Sequence, residues 1–186
     1  IMVLARAHVA GFLDGGVLPV IKHIPGHGRA KADSHLSLPV VEASRKELAA
    51  HDFPPFAAFA DAPMAMTAHV VYTALDKEAP ATLSAKVIGQ VIRKQIGFNG
   101  LLMTDDLSMK ALTGSFEERT LRALKAGCDV VLHCNGDMAE MAEVAAAAGP
   151  LKGKSLRRAR LALKMARKPQ RFDRKAALKD LEVLVT

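Results

Sequence analysis

Blocks of apolar residues separated by helical patterns run along this chain of 186 residues. Ile1 to Leu13 reads as a helix with no capping residue before it. Val17 to His23 reads as a short apolar strand, and Val40 to Ala50, beside Pro39, as a helix. Asp52 is a candidate N-cap for a short helix opening with Pro54 and Pro55. Met64 to Val71 is a second strand. Ser84 is expected to cap a helix over Ala85 to Gln95 that ends at Gly97. Leu101 to Thr104 is a third strand, Phe116 to Ala126 a helix stopped by Gly127, Val130 to His133 a fourth strand, and Met138 to Ala148 an Ala-rich helix. Continuously apolar strands separated by helices predict an α/β fold whose parallel sheet is covered on both faces. The unit is a strand then a helix, four times, with one helix in front.

Each strand runs into polar residues: Lys22-His23, Thr67-Ala68-His69, Thr104-Asp105-Asp106 and His133-Cys134-Asn135. In α/β barrels and in open parallel sheets, functional groups gather at the C-terminal ends of the strands. A polar floor of Lys22, His23, His69, Asp105 and His133 follows. Side chains alternate along a strand, so only one of Asp105 and Asp106 can face that floor. Both could instead begin the next loop, with Asp106 or Ser108 capping a turn. The connection from His23 toward Pro39 is longer than the usual 2–6 or so residues and carries His27, Asp33 and His35. An aspartate two residues before a histidine is suited to holding that imidazole in one tautomer.

Composition narrows the classes. Half of the residues are hydrophobic, and no run approaches the roughly 20 apolar residues of a membrane span. No GxGxxG follows a strand and there is no P-loop, which argues against a nucleotide cofactor. Cys128 and Cys134 belong to no CxxC motif and read as reduced thiols of a cytoplasmic protein. Residues 151–180 hold 12 of the 26 Lys and Arg and two acidic residues, leaving 14 basic against 17 acidic residues elsewhere. The net charge of +7 therefore belongs to a C-terminal segment, read as a pair of surface helices with solvated basic faces. With no Trp and one Tyr it offers no stacking platform, so a nucleic-acid partner is not expected.

Three segments resemble the bacterial β-N-acetylhexosaminidases of glycoside hydrolase family 3, the cell-wall recycling type. The first is Lys22-His23-Ile24-Pro25-Gly26-His27-Gly28 with Asp33-Ser34-His35 and Pro39. The second is Met64-Ala65-Met66-Thr67-Ala68-His69-Val70. The third runs from Pro80-Ala81-Thr82-Leu83-Ser84 through Arg93 and Gly97-Phe98-Asn99-Gly100 to Leu101-Leu102-Met103-Thr104-Asp105-Asp106-Leu107-Ser108-Met109. The resemblance implies a TIM (β/α)8 barrel, of which residues 1–150 are the C-terminal half, with 151–186 a basic helical segment packed on the same domain. It implies a retaining mechanism with Asp105 as nucleophile, His35 as acid/base partnered by Asp33, and Lys22 and His23 binding sugar hydroxyls. The implied substrates are N-acetylglucosaminyl-anhydromuramyl peptides or related saccharides, with no cofactor. Gly26 and Gly28 would let the loop close.

Four strand-helix units stand where a barrel needs eight, so the missing N-terminal half of the barrel is an expected partner, and the 186 residues alone are expected to be inactive. Three rival functions remain: a β-N-acetylglucosaminide phosphorylase, a metal-dependent hydrolase with His23, His27, Asp33 and His35 as ligands, and an inactive binding module.

Overall fold

The computed structural model describes residues 1–185. Helix α1 (Met2–Asp14) leads into β1 (Val20–Ile24). A long loop follows, then β2 (Val40–Val41). Next comes a continuous helical run: α2 (Arg45–Glu47), a π-helical turn Leu48–Asp52 and α3 (Phe53–Ala57). Strands β3 (Met64–Thr67) and β4 (Val71–Tyr72) precede a 3₁₀ turn Ala81–Leu83 and a π-helix Val87–Gln95. Then come β5 (Leu101–Asp106), α4 (Phe116–Ala126), β6 (Val130–Leu132) and α5 (Met138–Ala148). The chain ends in α6 (Gly153–Lys164) and α7 (Arg174–Val185). The main sheet is parallel throughout, in the order β1-β3-β5-β6, and β1 and β6 form its two edges.

Local chemistry explains most boundaries. Ser115 and Glu118 form a reciprocal capping box at the start of α4, and Gly127, in the left-handed region at φ +117°, closes it. Both ends of α4 and of α5 fall where the sequence places them. The Ser84 hydroxyl accepts from the Val87 N–H at 3.0 Å, as expected of a cap. The segment it opens is π-helical over Val87–Gln95 and buries Val87, Ile88, Val91 and Ile92.

Three expectations are corrected. The helix predicted over Val40 to Ala50 begins only at Arg45, after Ser44, whose side chain accepts from the Glu47 N–H while Glu47 accepts from the Ser44 N–H. Val40 and Val41 instead pair with Val71 and Tyr72, because β-branched residues after a proline favour extended backbone and β4 offers a partner. The predicted strand Met64 to Val71 breaks at Thr67 for the same reason: its end, Val71, belongs to that two-stranded sheet. Asp52 caps nothing. The helical run passes through it, and its carboxylate accepts from Arg29 Nε at 2.8 Å.

The core lies between the sheet and its helices, with Ile24, Leu48, Ile92, Phe98 and Leu102 fully buried. A smaller cluster of Leu107, Leu112 and Val144 fills the space under α4 and α5. Truncating a side chain such as Leu102 to Ala costs about 2–5 kcal/mol at sites of this kind. Helix α1 buries none of its residues. No helix among the described residues is long and apolar enough to cross a membrane.

The start of β6 is tied down by a buried ion cluster that composition does not show. Asp129 accepts from Arg93 at 2.7 Å, Arg158 at 2.9 Å, the Ser155 hydroxyl at 2.9 Å and the Leu102 N–H at 2.9 Å. The basic face expected to be solvated on α6 thus sends Arg158 inward to clamp the helix against the sheet.

Candidate active site

The C-terminal ends of the parallel strands bring His23, His69, Asp105 and Asp106 together. The sheet alternation separates the two aspartates as their spacing demands. Asp105 faces β1, where its Oδ2 lies 3.5 Å from His23 Nε2. Asp106 turns the other way. Its carboxylate accepts from the N–H and hydroxyl of Ser108 and from the Cys134 N–H. Asp106 therefore ties the end of β5 to the loop after β6, whereas Asp105 is the one left to a site.

The Asp105 carboxylate is 14 % exposed and accepts one close hydrogen bond, from the Asp106 N–H at 2.9 Å. It is sparsely paired and largely desolvated. Burial lowers His23 below the ordinary histidine value, against the pull of Asp105 in the other direction, and Lys22 and His27 add to the lowering. His23 is thus held as a neutral imidazole, able to donate or accept a hydrogen bond. Burial would raise Asp106, but the Ser108 and Cys134 donors outweigh it and hold this carboxyl below its usual range.

His69 is fully buried. Its Nε2 lies 3.0 Å from the Asp106 carbonyl and its Nδ1 2.7 Å from the Thr82 hydroxyl. It supports the floor from below. His133 stands at the margin of the expected floor, with its Nδ1 3.9 Å from Asp106 Oδ1. Its side chain is 4 % exposed and lies 3.2 Å from Glu140, with the ring edge-on to Phe116 at 5.0 Å. Despite that short distance, neither ring nitrogen makes an aligned hydrogen bond. Leu132 is the last residue of β6, so His133 lies just past the strand, between Asp106 and Glu140.

Asp33 and His35 form a pair of their own. The Asp33 carboxylate accepts from the His35 N–H and from His35 Nδ1, both at 2.9 Å. A carboxylate only accepts, so Nδ1 carries the hydrogen and Nε2 is free for a proton donor or acceptor. Those two donors lower Asp33. The pair is exposed on the loop, 75 % for His35 and 58 % for Asp33, and makes no hydrogen bond to Asp105. Two contacts fix the base of the loop. Tyr72 donates its hydroxyl to the Gly26 carbonyl, and His27 Nε2 lies 3.3 Å from the hydroxyl of buried Ser34. Gly26 itself sits at φ +137°, a conformation that side chains resist.

Lys22 is exposed and lines a cleft of about 580 Å³ between α1, β1 and α3, beside Phe56 and Phe59. It makes no ion pair among the described residues. The four residues considered as metal ligands are not gathered: His23 and His27 stack edge to face at 5.6 Å while Asp33 and His35 pair apart from them. Among the described residues, no group of three or more His, Cys, Asp or Glu is placed to hold a metal ion.

Sequence reasoning missed the roles of Thr82 and Tyr72. Thr82 stands beside Ser84 in a quoted motif, but nothing in its spacing points to His69, 13 residues away.

Residues 1–167 match the family model described as the glycosyl hydrolase family 3 N terminal domain. A Beta-hexosaminidase of Alkalilimnicola ehrlichii is 46 % identical over 136 residues, covering 71 % of this chain and 39 % of that protein. One of Idiomarina loihiensis is 39 % identical over 135 residues, with 71 % and 41 % covered. Among solved structures, a glycoside hydrolase family 3 beta-N-acetylglucosaminidase from Paenibacillus superposes with a TM-score of 0.80 at 29 % identity, covering 93 % of this chain and 36 % of that one. NagZ from Neisseria gonorrhoeae, in complex with N-trifluoroacetyl-D-glucosamine, superposes with a TM-score of 0.65 at 30 % identity, with 89 % and 56 % covered. The chain spans about two fifths of the length of these curated relatives.

Proposed function

Since the chain belongs to glycoside hydrolase family 3, we propose that the intact protein is a retaining β-N-acetylhexosaminidase that removes terminal β-N-acetylglucosamine from peptidoglycan fragments such as N-acetylglucosaminyl-anhydromuramyl peptides. The observation that carries this reading is the division of labour at the end of β5. Asp105 is sparsely paired and faces His23, while Asp106 is consumed by Ser108 and Cys134.

In the first step an Asp105 oxygen bonds to the anomeric carbon as the glycosidic C–O bond breaks, and the His35 Nε2 proton goes to the leaving oxygen. In the second, neutral His35 takes a proton from water, the water oxygen bonds to the anomeric carbon, and the Asp105 ester bond breaks. Asp33 keeps Nε2 free for both transfers. The loop carrying the pair must fold over the strand ends, and a lid that closes on the sugar also excludes bulk water. His23 and Lys22 bind hydroxyls.

The same reading makes residues 1–150 the C-terminal half of a (β/α)8 barrel, with 151–186 packed on it. Its support is the open sheet and the exposed apolar side chains of α1, Val3 and Leu4 among them. A structure of the intact protein should show β1 and β6 each paired with a further strand. Cys128 and Cys134 are free, and Cys134 is exposed, which supports work in a reducing compartment such as the cytoplasm.

The deciding experiment is turnover of an aryl N-acetylglucosaminide by the intact protein and its Asp105→Ala and Asp106→Ala variants. Loss with the first and partial retention with the second is expected. The reverse order would remove Asp105 from the role.

A further inference from the structure

The end of β5 is where the sheet stops holding its own strand. β3 pairs with β5 only as far as Met66 and Met103, and the register to β6 shifts between Met103 and Asp106. Thr104, Asp105 and Asp106 therefore extend past the regular ladder on the β3 side. A buried side-chain chain stands in that place. Thr67 Oγ1 lies 2.8 Å from Thr82 Oγ1, Thr82 Oγ1 lies 2.7 Å from His69 Nδ1, and His69 Nε2 lies 3.0 Å from the Asp106 carbonyl. Thr67, His69 and Thr82 are all fully buried.

One proton direction in this chain is fixed by chemistry. A carbonyl only accepts, so His69 Nε2 carries a hydrogen and donates it to Asp106. Burial disfavours the imidazolium, which favours an Nδ1 that accepts. Its partner is the Thr82 hydroxyl, whose single proton is shared between Nδ1 at 2.7 Å and the Ala68 carbonyl at 3.1 Å. Thr82 Oγ1 in turn accepts from the Thr67 hydroxyl. The chain ends on Asp106, whose N–H donates to Asp105 Oδ1 at 2.9 Å. One residue thus receives the chain at its carbonyl and holds the Asp105 carboxylate with its N–H.

We propose that His69, its Nε2–H held by the Asp106 carbonyl and its ring braced by Thr82 and Thr67, is a positioning residue that fixes the Asp106 peptide and through it the aim of the Asp105 carboxylate. The role rests on the proposed glycosidase reading. Small misplacements of an attacking group, on the order of 1 Å, cost about 100-fold in rate without any loss of contact to the reacting atoms.

The test compares the intact protein with its His69→Leu, His69→Gln, Thr82→Val and Thr82→Ser variants. The readouts are kcat, KM and thermal midpoint on aryl N-acetylglucosaminides with good leaving groups, together with the rate at which the covalent intermediate forms. His69→Leu has no donor for the Asp106 carbonyl and should lower kcat about 100-fold with KM within about threefold. His69→Gln retains an N–H donor near Nε2 and should recover much of that loss. Thr82→Val removes the hydrogen bond that braces the ring and should lower kcat about 10-fold, with Thr82→Ser close to the parent. Because good leaving groups need little protonation, the loss belongs to attack by Asp105. If His69→Leu does not fold, the Thr82 pair reads the same coupling with a smaller change of volume.

An active parent that Asp105→Ala inactivates, with Thr82→Val and His69→Leu near parental kcat, would overturn the positioning role and leave the glycosidase reading intact. Equal losses in Thr82→Val and Thr82→Ser would also overturn it. A parent with no hexosaminidase activity, or one that survives Asp105→Ala, would overturn the glycosidase reading and the positioning role with it.

Discussion

Two aspartates at opposite ends of the same sheet are treated in opposite ways. Asp129, just before β6, is 1 % exposed and its oxygens are fully engaged by two arginines, a hydroxyl and an amide. Asp105, near the end of β5, has one close donor and an imidazole at 3.5 Å. The first arrangement uses charge to lock α6 and the π-helix Val87–Gln95 against the sheet, and no acceptor capacity is left for a ligand. The second leaves acceptor capacity unused, which is what the role proposed for Asp105 requires. In parallel α/β folds the N-terminal side of the sheet serves stability and the C-terminal side serves chemistry, and these two residues divide along that line.

The sharpest way to break the comparison is to remove each aspartate. Asp105→Ala in the intact protein should lower kcat/KM on an aryl N-acetylglucosaminide by about 1,000-fold or more with the fold retained, as expected for loss of a nucleophile. Circular dichroism and a thermal midpoint near the parental value check the second half. Asp129→Ala should do the reverse. Two half-buried arginines lose a buried partner, and breaking a buried pair costs up to about 3–5 kcal/mol, so chemical denaturation should show a clear loss of stability. Asp129→Ala that left stability unchanged would mean the cluster is not the anchor described.

His35→Ala sharpens the chemical side. A positioned acid contributes about 10²–10⁴-fold where the leaving group needs protonation. Its removal should slow natural saccharides by about that factor and activated aryl glycosides much less. Equal losses for both would show that His35 does not protonate the leaving oxygen.

The smallest effect concerns pH. Asp106 is held below its usual range by Ser108 and Cys134. A group with a depressed folded-state pKa stabilises fully above the unfolded value, near 3.9 for aspartate, and loses that contribution as pH falls through the folded value. Stability should therefore decline below about pH 4, and Asp106→Asn should flatten that acid limb. A limb of unchanged steepness in acid denaturation would count against the network at the end of β5.

The sequence by itself determined the alternation of strands and helices, both ends of α4 and α5, and the polar strand ends. These are set by short-range physics: capping boxes, a left-handed glycine and the two-residue pleat. The pleat also made Asp105 and Asp106 exclude one another, but it could not say which faced the site. The family resemblance implies Asp105, and the tertiary structure adds that Ser108 and Cys134, the latter 28 residues away, claim Asp106. Long-range pairing likewise took Val40 and Val41 out of a helix and into a strand beside Val71 and Tyr72. It set His133 between Asp106 and Glu140, and it turned Arg158 from a solvated surface charge into a clamp on Asp129. It also joined Thr82 to His69. Each depends on partners distant along the chain, and local propensity carries no information about a partner that folding has yet to bring near.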